Sequence, residues 1–166
     1  MTVSDDEIAE AGRRVARLLD ERGMRIAAAE SCTGGWIAKT LTDIPGSSAW
    51  FEYGFVTYGN NAKSTMLGIQ AETLEQHGAV SREVAEAMAI GARVVADADL
   101  AVAVTGIAGP DGGTPDKPVG TVWFCWDGPQ RRSMTRLMEF SGDRDDVRRQ
   151  AVIAALNGVR RQLADG

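Results

Sequence analysis

Apolar positions along this chain switch between a helical and a strand-like period, and the switches mark out its elements. After a capping box set by Ser4 and Glu7, Ile8, Ala11, Val15 and Leu18 recur at helical spacing until Gly23 supplies a stop. Arg25 to Ala29 reads as a short buried strand, followed by the turn Thr33-Gly34-Gly35 and a helix from about Trp36 to Leu41. The breaker Ile44-Pro45-Gly46-Ser47-Ser48 precedes an aromatic and β-branched stretch, Phe51 to Tyr58, that predicts a second strand. A helical piece starts at Lys63, beyond the Asn60-Asn61 turn. Glu72 to Gln76 and Ser81 to Val95 read as two further helices, the second with Val84, Met88 and Ala92 on one face. Leu100 to Val104 is an apolar strand and Thr105 to Pro118 a Gly/Pro loop. Val119 to Trp126 and Ser133 to Phe140 can pair as a hairpin across Asp127-Gly128-Pro129, and a last helix runs from about Asp143 to Leu163.

The order α-β-α-β-α-α-β-β-β-α, without repeat or linker, predicts an α/β fold: a three-layer α/β/α sandwich around a mixed sheet, one domain over 1–166. At this length roughly two-thirds of the unfolded surface is buried, so no covalent staple is required. Cys32 and Cys125 are the only cysteines and suit a reducing compartment. Met1 to Glu10 lacks the features of a secretory signal, and no apolar run approaches the roughly 20 residues of a membrane helix. A formal net charge of -5 argues against nonspecific nucleic-acid binding. The expectation is a cytoplasmic protein with a small-molecule substrate and neither nucleic acid nor membrane as partner.

Two Gly-rich turns follow small-residue apolar runs, one beginning at Ser31 and one at Thr105. In α/β proteins such turns lie at the carboxyl ends of strands, where ligands bind. The helix opening after Ser31 offers free N–H groups that could hold a phosphate or an oxyanion, a use that favours Thr33, Gly34 and Gly35; a tight strand-to-helix turn is the plainer reading. The loop from Gly106 through Gly109 to Gly113 matches neither a Walker A nor a dinucleotide-binding turn, and stands as a lid or anion cradle. His77 is the only histidine and sits at a helix end, so a serine nucleophile needs another base. Lys63 is the candidate, since burial lowers a lysine's pKa toward the range where it takes a proton from a hydroxyl. Cys32 is a rival nucleophile, because a helix N-terminus can favour a thiolate. Arg144 could grip a phosphate, or belong with Asp145, Asp146, Arg148 and Arg149 to a solvated charged face.

The segments Ala29-Glu30-Ser31-Cys32-Thr33-Gly34-Gly35, Thr42 to Ser48, Thr105-Gly106-Ile107-Ala108-Gly109-Pro110, Lys117 to Val122 and Gly142-Asp143-Arg144 resemble, in the same order, the CinA carboxy-terminal domain family of nicotinamide-nucleotide amidases. The resemblance runs from roughly Val15 to Leu163. It implies hydrolysis of the carboxamide of nicotinamide mononucleotide to nicotinate mononucleotide and ammonia, in pyridine nucleotide salvage, with no metal and no cofactor, by a homodimer. The family's Ser/Lys arrangement maps onto Ser31 and Lys63, with Tyr58 and Thr105 as hydroxyl partners. The substrate phosphate is expected on loop amides, on Ser47 or Ser48, and on Arg144, from this or a neighbouring subunit. One departure is visible: the family commonly has Tyr-Ser-Asn-Glu-Ala-Lys where this chain has Tyr58-Gly59-Asn60-Asn61-Ala62-Lys63. A noncatalytic nucleotide-binding or partner-binding domain, or a hydrolase of another small amide, are the alternatives.

Overall fold

Helix α1 (Asp5–Arg22) begins at the expected capping box, where the Ser4 hydroxyl accepts from the Glu7 amide and the Glu7 carboxylate accepts from the Ser4 amide. The computed structural model describes residues 2–165; positions 1 and 166, the ends of the expected domain, lie outside the described residues. Strand β1 (Ile26–Glu30) leads into α2 (Trp36–Thr42), a short 3-10 turn at Ser47–Ala49, and β2 (Phe51–Val56). Then come α3 (Asn60–Leu67), α4 (Ala71–His77), α5 (Arg82–Ala96), β3 (Leu100–Gly106), β4 (Thr121–Asp127), β5 (Ser133–Glu139) and α6 (Arg144–Asp165). Three helices therefore separate β2 from β3, where the sequence order allowed two. The piece expected to start at Lys63 is a full helix that begins at Asn60, which places Lys63 at the end of its first turn.

The five strands form one mixed sheet in the order β2-β1-β3-β4-β5. β1 pairs in parallel with β2 and β3, and β4 runs antiparallel to both β3 and β5, as the expected hairpin requires. β1 is buried along its whole length, and its side chains alternate between two cores. Ile26 and Ala28 join the core under α1, α2 and α6, while Ala27 and Ala29 join the one under α3, α4 and α5. The second core is lined by alanines from strands and helix alike, including Ala101, Ala103, Ala85, Ala89 and Ala92, so α5 lies close on the sheet. α3 approaches α5 equally closely. A Cβ added at Gly91 would stand 2.4 Å from the Leu67 carbonyl oxygen.

The opposite face is closed by α6 over the hairpin. Trp126 is buried, donates from its indole N–H to the Ala155 carbonyl at 2.9 Å, and lies where a Cβ on Gly158 would come within 2.1 Å of its ring. No helix among the described residues is long and apolar enough to cross a membrane.

This topology decides what meets at each edge of the sheet. The chain leaves β1 toward the α1/α2/α6 layer and leaves β2 toward the α3/α4/α5 layer. The connections diverge, and a gap opens at the carboxyl edge of the parallel strands.

Candidate active site

Side chains alternate along a strand, so the two polar residues that end β1 face opposite layers. Glu30 points toward α2 and Ser31 toward α3. The Glu30 carboxylate is buried and accepts from the Thr33 hydroxyl (2.7 Å), the Ile37 amide (2.8 Å) and the Ala38 amide (3.0 Å), with a further amide from Gly35. Burial raises its pKa above the ordinary carboxylate value, and these hydrogen bonds offset only part of that rise. The N-terminus of α2, a candidate phosphate or oxyanion cradle in the sequence, is thus capped by the chain's own carboxylate.

On the other side, Lys63 is 1 % exposed and its Nζ lies 3.1 Å from Ser31 Oγ. The same nitrogen reaches the carbonyl oxygens of Thr57 (2.8 Å) and Tyr58 (3.1 Å). All three partners are uncharged. Burial therefore drives the lysine pKa below its ordinary value of 10.5, outweighing the opposing influence of the neighbouring Cys32 sulfur. A neutral amine carries two N–H donors and one lone pair. With the two carbonyls taking the N–H groups, the lone pair faces the Ser31 hydroxyl, which is the geometry of a general base on a nucleophile. When protonated, the ammonium can donate to all three oxygens, and Ser31 can turn its own O–H to the Tyr58 carbonyl, 3.4 Å away.

Ser31 and Lys63 open into a cavity of about 230 Å³ bounded also by Cys32, Tyr58, Ala79, Thr105 and Arg144. Thr105 is buried there, on the face of β3 that continues Ala101 and Ala103, and its hydroxyl donates to the Ala79 carbonyl at 2.9 Å. Tyr58 is placed differently from a hydroxyl partner of the pair. Its carbonyl meets Lys63, while its ring is 60 % exposed and its hydroxyl accepts from Arg144 at 3.1 Å. Arg144 also donates to the Gly109 carbonyl at 2.6 Å, so it spans the cavity mouth from the Gly-rich loop to Tyr58 within one subunit. Beyond it a second cavity, about 530 Å³, is lined by Ala108, Pro110, Val119, Arg144 and Arg148. Gly106 lies on the inner wall, where any Cβ would strike Val122 at 2.7 Å, so its glycine serves the β3–β4 contact.

Other expected residues lie elsewhere. Gly34 and Gly35 line a separate depression of about 640 Å³ beside Trp36, and the Thr33 hydroxyl belongs to Glu30. Ser47 and Ser48 stand at the opposite edge of the sheet, because the 3-10 turn that holds them delivers the chain to the start of β2, beside Ile26. They take no part in this chain's cavity: a parallel crossover must return to the amino edge. The Cys32 thiol is buried, and burial raises its pKa to about 12, which keeps it protonated near neutral pH. His77 ends α4 and faces Glu83.

Sequence reasoning passed over Glu30 as a helix cap and Arg148 as anything but a solvated group. Arg148 is half-buried, with its guanidinium over the Trp36 ring and its donors on the Cys32 and Thr33 carbonyls. A lone acid ending an otherwise apolar strand was the signal for the first. Nothing short of the α2–α6 packing marks the second. Gly59, at the position where the family commonly has a serine, begins α3 in an extended conformation with no side-chain cap.

The model of the CinA C-terminal domain matches residues 8–163. The chain belongs to the CinA C-terminal domain family. Among its relatives, the nicotinamide-nucleotide amidohydrolase PncC of Escherichia coli K12 is 55% identical over 161 residues, covering 97% of this chain and 98% of that protein. The PncC of Pseudomonas putida is 51% identical over 154 residues, covering 93% and 96%. Among solved structures of the family, the competence/damage inducible protein CihA of Agrobacterium tumefaciens superposes with a TM-score of 0.93 at 43% identity, covering 99% of both chains.

Proposed function

We propose that this member of the CinA family hydrolyses the carboxamide of nicotinamide mononucleotide, giving nicotinate mononucleotide and ammonia, with Ser31 as nucleophile and Lys63 as its base. The contact that carries this reading is Lys63 Nζ to Ser31 Oγ at 3.1 Å, with two carbonyls occupying the amine's donors. The substrate class is taken from the PncC relatives.

As Ser31 Oγ bonds to the carboxamide carbon, its proton passes to the Lys63 lone pair. The C–N bond then breaks, and the lysine ammonium returns that proton to the departing nitrogen, which leaves as ammonia. Water attacks the acyl ester, Lys63 accepts one of the water's protons and passes it to Ser31 Oγ as the C–O bond to serine breaks, and the released acid loses its remaining proton to solvent to become the carboxylate. The pyridine ring fills the inner cavity. The ribose phosphate passes Arg144 into the larger cavity, because the two share Ala108 and Arg144. In this reading Thr105 packs the wall beside the ring, Gly106 and Gly109 shape the loop, and the enzyme acts as a cytoplasmic homodimer.

The test is incubation of purified protein with nicotinamide mononucleotide, following ammonia and nicotinate mononucleotide together. Equal release of both, abolished in Ser31→Ala, is the expected result. No release from folded protein, or release that survives in Ser31→Ala, overturns the reading; light scattering tests the homodimer.

A further inference from the structure

Ser31 has a threonine on each side of it in the sheet. The Ser31 amide donates to the Val104 carbonyl at 3.0 Å and the Thr57 amide donates to the Glu30 carbonyl at 2.9 Å, so both parallel registers run on by one residue past Glu30. Thr57, Ser31 and Thr105 therefore stand in a row at the ends of β2, β1 and β3, on one face and a strand spacing of about 4.8 Å apart.

The two flanks differ. On the β2 side, the carbonyl oxygens of Thr57 and Tyr58 hold Lys63 Nζ against Ser31, and the base fills that flank. The β3 side is open: Thr105 and Gly106, with Ala79 and Val80 of the α4–α5 connection, line the cavity there. An acyl group that reaches Ser31 Oγ comes in over Thr105.

What Thr105 can offer such a group is fixed by its own hydrogen bond. A hydroxyl has one proton and two lone pairs. Thr105 gives the proton to the Ala79 carbonyl at 2.9 Å, and that carbonyl has no other donor among the described residues. Turning the proton into the cavity would leave a part-buried carbonyl unpaired, so the hydroxyl stays an acceptor. A carboxamide has a donor end and an acceptor end, and only its nitrogen suits this neighbour. The carboxylate formed by hydrolysis has no donor, and sets an oxygen against the same lone pairs whichever way it turns.

We infer that Thr105 is a specificity residue: its hydroxyl, locked onto Ala79, accepts an N–H of the substrate carboxamide, sets the leaving nitrogen on the β3 side, and disfavours the carboxylate product. The inference rests on the amidase reading above. A site built around a buried acceptor selects against an analogue that lacks the matching N–H.

The experiment measures binding by titration calorimetry in a Ser31→Ala background, which stops turnover, with nicotinamide mononucleotide and nicotinate mononucleotide as the two probes. Adding Thr105→Val puts a methyl group where the hydroxyl stands. It should weaken the amide about tenfold, and leave the acid within about threefold of its former affinity or bind it more tightly. Thr105→Ser, which keeps the hydroxyl, should retain the preference for the amide. Equal weakening of both probes by Thr105→Val is the signature of a packing role and overturns the inference, and so does an unchanged preference. If Thr105→Val fails to fold, Thr105→Ala supplies the same ratio of affinities. Wild type that binds nicotinamide mononucleotide but releases no ammonia removes the amidase reading alone, because the Thr105 comparison is read from binding. No binding of either nucleotide to folded protein overturns both.

Discussion

Two buried polar side chains stand next to each other at the end of β1, and they are supplied with partners in unlike ways. Glu30 receives a hydroxyl and several amides at a helix N-terminus, enough to satisfy a carboxylate without any basic residue. Across the strand, Lys63 meets no opposite charge among the described residues, only two carbonyls and the hydroxyl of Ser31. The saturated group fixes backbone. The ammonium left short of stabilisation gains by giving up its proton, which leaves a neutral amine with a lone pair beside the Ser31 hydroxyl, and in the proposed mechanism that imbalance is the chemical resource of the site. Burial alone does not separate the two, since each is 1 % exposed.

The sharpest way to break this contrast is Lys63→Ala. It should lower kcat by about 10³-fold, with KM changed far less, in steady-state assays of ammonia release. A normal kcat with raised KM contradicts the assignment of the base.

Glu30→Gln should act on the opposite property. It puts an amide donor where backbone donors converge, and should cost about 2 kcal/mol of folding stability in urea titration. If the fold tolerates it without loss, the carboxylate is not the cap described here.

A pH series sharpens the comparison further. Because the Lys63 pKa is depressed in the folded protein, activity should rise with pH through a value below 10.5, at up to about tenfold per unit. The same depression means that the folded state sheds this proton before the unfolded state does. Stability then increases with pH from the folded value up to 10.5, and Lys63→Met should be more stable than wild type at neutral pH by a margin that narrows as pH rises. The smallest effect is expected of Cys32→Ala. With a thiol held near a pKa of 12, it should lower turnover by less than about tenfold, against near-complete loss in Ser31→Ala.

Much of this arrangement is legible in the residues. Helical and strand periods place nearly every element, and the Gly-rich turns after two apolar runs mark the carboxyl edge where Ser31, Lys63 and Thr105 meet. What escaped is non-local. Ser47 and Ser48 look at home beside a phosphate until the crossover rule puts the turn before β2 at the far edge. Tyr58 is named for a hydroxyl, but its carbonyl does the work at Lys63. Arg148 carries a charge pattern that fits solvent; only the packing of α6 on Trp36 brings it 116 residues back to the turn that carries Ser31. Gly34 and Gly35 read as donors to a bound anion because nothing in the sequence pairs the competing anion, Glu30, with the α2 amides.

Gly91 lies in α5, outside the cavity, yet it sets a mechanical tolerance for the proposed reaction. Ser31 hangs from the sheet and Lys63 from α3, so their 3.1 Å separation is a gap between two independently mounted parts. The Leu67 carbonyl at the end of α3 rests where a Gly91 Cβ would be, and one methyl group there acts as a shim under the lysine's mount. Misplacement of a catalytic group by about 1 Å can cost about a hundredfold in rate. The calibration of the proposed base is thus kept by a residue that has no side chain at all.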